Sequence, residues 1–106
     1  MAALKALILK KISGVTSFTV EVGYFYRVDT SSGDVTANMP SYTDTHSTDW
    51  NIIKKISSDA HVINVTPHSG EKMNGSSSPN VITGSNQSRM YMPNTPSFFG
   101  NGWISW

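Results

Sequence analysis

Apolar residues fall on every second position along much of this chain. Phe18, Val20, Val22, Tyr24, Tyr26 and Val28 alternate with Thr19, Glu21, Gly23, Phe25 and Arg27. A period of two sends successive side chains to opposite faces, so the pattern predicts a strand with one buried face. Gly23 marks a bulge or a bend within it. "DTSSGD", 29 to 34, is built from turn residues, and "VTANMP" then alternates through Val35, Ala37 and Met39 until Pro40 ends the ladder. Together these segments predict a hairpin.

A polar loop, "SYTDTHSTD", leads to Trp50 and a second predicted hairpin, "NIIKKISSDAHVINVTP". Ile52 and Ile56 share one face, Ile53 the other, and Ile63 and Val65 follow the polar link. Both faces carry apolar residues, which predicts that this hairpin is covered on both. Further on, 68 to 80 is turn-rich and offers only Met73 to a core. "VITG", "SRMYMP" and "WISW" read as three more strands. Residues 1 to 12 fit two periodicities. Leu4, Leu7, Ile8 and Ile12 share a helical face, while Leu7 and Leu9 also alternate with Lys10, so helix, strand and extended arm all remain open. Gly14 ends that segment. The expectation is an all-β domain, 17 to 106, forming an antiparallel sandwich or small barrel of jelly-roll type, preceded by an N-terminal anchoring arm, 1 to 16.

Composition sharpens this picture. The chain has 106 residues, enough for one domain. Charged residues make up 14% and the net charge is +1, so no long-range field favours nucleic acid or an acidic membrane. Serine, threonine and asparagine number 16, 10 and 8, which suits short strands, turns and a soluble surface with little charge. There is no cysteine, so disulfides and thiolate chemistry are excluded and subunit packing is the expected further source of stability. No apolar run approaches the roughly 20 residues of a membrane-spanning helix. The opening "MAALKALILKKI" has neither a charged leader nor a small-residue cleavage site and reads as part of the mature protein.

Candidate chemistry is sparse. Lys54 and Lys55 are adjacent on a strand, point to opposite faces and cannot form one basic patch. Asp44, His46 and Asp49 offer ligand types for a divalent ion, but no fourth ligand accompanies them, so no metal or other cofactor is expected. No serine sits in a nucleophile elbow, no phosphate-binding glycine loop occurs, and the only glutamates are Glu21 and Glu71. The expectation is a protein that is not an enzyme. The aromatic residues Trp50, Tyr91, Phe98, Phe99, Trp103 and Trp106 are many for so uncharged a chain; some must fill the core, and as site residues they are assigned to a subunit interface or a ligand surface.

The order of segments carries a resemblance. "YFYRVDTSSGDVTANMP", "WNIIKKISSDAHVINVTP", "SGEKMNGSSSPNVI" and "GNGWISW" resemble, in sequence, the strands and turns of a β module found in bacteriophage tail fibres, tailspikes and related virion proteins. The likeness runs from 24 to 106. "SRMYMPNTPSFFGNGW" departs from the module's usual serine- and valine-rich strand, and the loop 41 to 49 lacks its usual glycine. The resemblance implies an antiparallel β domain, commonly a homotrimer, exposed on the outer surface of a virus particle and without catalytic residues. With only about 20 residues before the module, the expected role is a free-standing knob that decorates or cements the capsid. Leu4, Leu7, Ile8, Leu9 and Ile12 would anchor it to the major capsid protein or another virion protein. The alternatives are a tail-fibre or spike tip, or an adaptor, that binds a host receptor, and a carbohydrate-binding module that takes a surface glycan. No nucleic-acid or membrane partner is expected.

Overall fold

Gly23 is where the long alternating stretch turns out to be two strands. Its φ of +90° is open to glycine, and the chain bends there from one sheet into the other. In the computed structural model, which describes residues 6–44, 49–94 and 102–105, ten strands run in order. They are β1 (Ile8–Ile12), β2 (Ser17–Thr19), β3 (Tyr24–Val28), β4 (Val35–Asn38), β5 (Asn51–Lys55), β6 (Ile63–Thr66), β7 (Lys72–Met73), β8 (Asn80–Ile82), β9 (Ser88–Asn94) and β10 (Gly102–Ser105). A 3₁₀ turn, Tyr42–Asp44, interrupts the long loop after β4.

The strands form two mixed sheets packed as a sandwich. One has six strands in the order β1-β3-β5-β9-β10-β7, the other four in the order β2-β4-β6-β8. The all-β sandwich predicted from the sequence is therefore what the chain forms. The pairing differs from expectation. β1–β3, β3–β5, β2–β4, β4–β6 and β7–β10 are parallel, and only β5–β9, β6–β8 and β9–β10 are antiparallel. Neither predicted hairpin exists. The links 29–34 and 56–62 are corners that carry the chain across from the six-stranded sheet to the four-stranded one. Alternation is the same for a strand that turns back on itself and for one that crosses the sandwich, so the period alone could not separate them.

The consequence is a stack of three rungs, β1/β2, β3/β4 and β5/β6, each giving one strand to each sheet. β8 and β9 then run back along the third rung in the antiparallel sense, and β10 and β7 complete the wider sheet. Parallel stacking puts matching positions in straight rows. Inside, Tyr26 lies beside Ile53 and Val28 beside Lys55 in one sheet. Val35, Ile63 and Ile82 make a row in the other. Val20, Ala37, Met39, Val65, Met73, Tyr91 and Trp103 fill the space between.

Three side chains tie distant segments together. The Trp103 Nε1–H donates to the Pro40 carbonyl at 3.0 Å, fastening the last strand to the end of β4. The Tyr91 hydroxyl crosses the sandwich to the Asn80 Oδ1 at 2.7 Å. Asn74, itself at φ 52°, brackets β10: its Nδ2 donates to the Ser105 Oγ and its Oδ1 accepts from the Ser105 N–H, both at 2.8 Å. The buried ends of these tyrosine and tryptophan side chains thus meet their polar partners, as large amphipathic rings require.

Candidate assembly surface

Two buried polar clusters are the first places to look for chemistry. Lys55 points inward from β5 and is fully buried. Its ammonium donates to the Ser57 and Asp59 carbonyls at 2.8 and 2.9 Å and lies 3.5 Å from the Asp59 carboxylate. Asp59 Oδ1 also accepts from the Thr30 hydroxyl at 2.7 Å and from the His61 N–H at 3.0 Å. Desolvation pushes the Asp59 carboxyl up, but the Ser57, Thr30 and His61 donors and the Lys55 charge together hold it well below the ordinary carboxylate range. These bonds close the corner between β5 and β6 and tie it to Thr30 in the corner between β3 and β4, and the ammonium is spent on backbone carbonyls. It is a structural lock.

The second cluster surrounds Glu71. The Ser41 hydroxyl and the Tyr42 N–H donate to its two oxygens, and His68 Nδ1 lies 3.7 Å away. This carboxylate holds the start of the 3₁₀ turn. His61 similarly lies 3.5 Å from Asp34 on the surface. Among the described residues no group of three or more histidine, aspartate or glutamate side chains is arranged for a metal ion. Of the loop residues considered as ligands, Asp49 is buried, while His46 lies outside the described residues.

The outward faces of the two sheets differ. On the four-stranded sheet, register places Ser17 beside Thr36, Thr36 beside Asn64, Thr19 beside Asn38 and Asn38 beside Thr66. That face is polar but for Val81, 40% exposed on β8 beside Asn64, as expected for one meeting water. On the six-stranded sheet, Leu9, Phe25, Ile52 and Met90 stand in one row across β1, β3, β5 and β9. Met92 stands beside Ile104 two positions further along β9. Trp50 precedes Ile52 by two positions, and its carbonyl continues the ladder by accepting the Gly23 N–H at 2.8 Å. On the other side of the apolar row runs a basic one, Lys11, Arg27 and Lys54, closed by Ser88. Leu9 is 65% exposed; Phe25, Ile52, Met90, Met92 and Ile104 are half-buried.

The sequence-derived site residues divide accordingly. Leu9 and Trp50 belong to this outward face. Ile8, 62% exposed, sits at the open end of the interior row that contains Tyr24. Ile12 packs against the core from the end rung, and Leu7 is half-buried just before β1. Residues 8–12 of the expected arm are therefore the edge strand of the six-stranded sheet. Tyr91 and Trp103 are core residues at 0% and 1% exposure, which corrects their assignment to an interface or ligand surface. Each is large enough to span the sandwich and has its polar tip bonded inside it. Leu4, Phe98, Phe99 and Trp106 lie outside the described residues.

Phe25, Ile52, Met90, Met92 and Ile104 were not singled out as site residues from the sequence. The signal was present in the second hairpin region, where apolar residues occupy both faces of one strand. What was missing was the register that aligns them. Comparison with protein-family models gives no match for this chain, and comparison with curated proteins gives none.

Proposed function

We propose that this chain is a structural protein of a bacteriophage particle, a β knob that associates with copies of itself, as a trimer, on the outer surface of the capsid. The observation that carries the reading is the outward face of the six-stranded sheet, where apolar residues stand in register across four strands on a domain whose other sheet face is polar apart from Val81. A face of this kind is a contact surface. The Lys55–Asp59 and Glu71 clusters hold corners and turns of the scaffold, which supports a role in assembly over one in catalysis. The segment resemblance to virion β modules supplies the setting.

The N-terminal segment remains the proposed link to the shell. The β1 strand occupies the edge of its sheet, so its outer N–H and C=O groups are open to pairing with another chain. Lys10 and Lys11 on that strand discourage indiscriminate pairing. The test is an image of the assembled particle at side-chain resolution, where the knob should sit on the outside of the capsid with its β1 edge toward the shell. Location on the tail would favour the receptor-binding alternative, and absence of the chain from purified particles would refute a virion role.

A further inference from the structure

We propose that copies of this chain associate through the Leu9–Phe25–Ile52–Met90 row, about a rotation axis running along that row. The inference rests on the reading of the protein as self-associating and adds the surface and the geometry.

A row that crosses four hydrogen-bonded strands is straight and evenly spaced, at about 4.8 Å per strand. A second copy supplies a row of identical spacing. Rotation about an axis parallel to the row therefore brings like layers together: Leu9 with Leu9, Phe25 with Phe25, Ile52 with Ile52. Packing about such an axis works for two copies face to face and equally for three around a column.

The charges choose among the possible copy arrangements. Lys11, Arg27 and Lys54 lie two residues from the apolar row on one side, about 7 Å away along the strands. Trp50 lies two residues away on the other side. A half-turn about the row reverses the strand direction in a facing copy, so one copy's Lys54 comes opposite its neighbour's Trp50, with Arg27 opposite Gly23 and Lys11 opposite Leu7. The two cationic rows then stand about 13 Å apart along the strands, beyond the Debye length of about 8 Å at physiological ionic strength. Cations facing an indole are attracted to it. A half-turn about the strand direction would instead bring cations against cations, and a simple translation would not bring the two rows face to face. The outward face of the four-stranded sheet, where Val81 stands among Ser17, Thr36, Asn38 and Asn64, offers no comparable apolar row.

The absence of cysteine makes the test direct. Leu9→Cys and Val81→Cys each introduce one thiol at an exposed position, on the six- and four-stranded sheets respectively; Leu9 is 65% and Val81 40% exposed. With a short bis-maleimide reagent at micromolar protein, Leu9→Cys should cross-link into covalent dimers and Val81→Cys should remain monomeric on a denaturing gel. In parallel, Ile52→Glu should sediment as a monomer while keeping the wild-type far-ultraviolet circular dichroism. If Ile52→Glu keeps the wild-type mass, or if Val81→Cys cross-links and Leu9→Cys does not, the surface is elsewhere and this inference falls while self-association stands. A monomeric wild type overturns both.

Discussion

Asn51 offers a prediction that runs against the usual effect of core mutation. It is fully buried in β5 beside Tyr91, and among the described residues neither its Nδ2 nor its Oδ1 has a hydrogen-bond partner. The neighbouring Tyr91 hydroxyl is committed to Asn80. An amide taken from water without compensation costs about 1–3 kcal/mol on the scale of protein mutations. Leucine has nearly the same branched shape and no polar atom, so Asn51→Leu should remove that cost and add apolar burial. Some of the gain is lost to fitting the extra volume in a close-packed interior. The expected net change is a stabilisation of about 1–2 kcal/mol, or roughly 4–8 °C in Tm for a domain of this size. Thermal and urea unfolding of both proteins at one fixed protein concentration measure it, because self-association would otherwise move the midpoint. A destabilisation of 1 kcal/mol or more would show that the amide is satisfied in solution and would refute the reasoning.

Three further outcomes follow from specific contacts. Tyr91→Phe removes the 2.7 Å bond to Asn80 and should cost about 1–3 kcal/mol; burial also raises the Tyr91 phenol above its ordinary value, so stability is full below about pH 10 and should fall above it, less steeply in Tyr91→Phe. The Asp59 carboxyl is held below its ordinary value, so its contribution is present above about pH 4 and is lost as pH falls through the lower folded value; acid titration of Asp59→Asn should show a flatter decline than wild type, and an unchanged slope contradicts the lock. Gly102 sits at φ +150°, and a Cβ there would run into the Lys72 backbone; Gly102→Ala should disrupt the β7–β10 pairing and sharply lower Tm, and a variant as stable as wild type would refute that packing.

The legible part of this fold is the part that period two encodes. Val20, Tyr26, Val28, Val35, Ala37, Met39, Ile53, Ile63 and Val65 were all assigned by alternation to a strand face, and all are buried. Met73, picked as the lone core residue of a polar stretch, is buried at 2% exposure. The topology was not legible. From Phe18 to Val28 the even positions stay inward on both sides of the Gly23 corner, because the chain changes sheet without changing which residues face the core. A single strand and two strands in opposite sheets then share one pattern. The same degeneracy made the 29–34 and 56–62 corners resemble hairpin turns.

The outward face fell between these cases. Phe25 and Ile52 stood off the core face in the pattern, but 26 other residues separate them in the chain and nothing local says that they touch. Parallel stacking brings them side by side. Leu9 reads in the sequence as an arm residue and Trp50 as an aromatic, and register puts both on one face. Conversely, Tyr91 and Trp103 were drawn to the surface by the low charge of the chain. Their burial follows from hydroxyl and indole groups that find Asn80 and the Pro40 carbonyl within the sandwich.

Sedimentation equilibrium of the wild-type protein over low to high micromolar concentrations tests the central claim most directly. A mass of three times 11.6 kDa, with Ile52→Glu at a single chain's mass, is the result expected. A wild type that stays at 11.6 kDa throughout, with its apolar sheet face left open to water, would contradict the account.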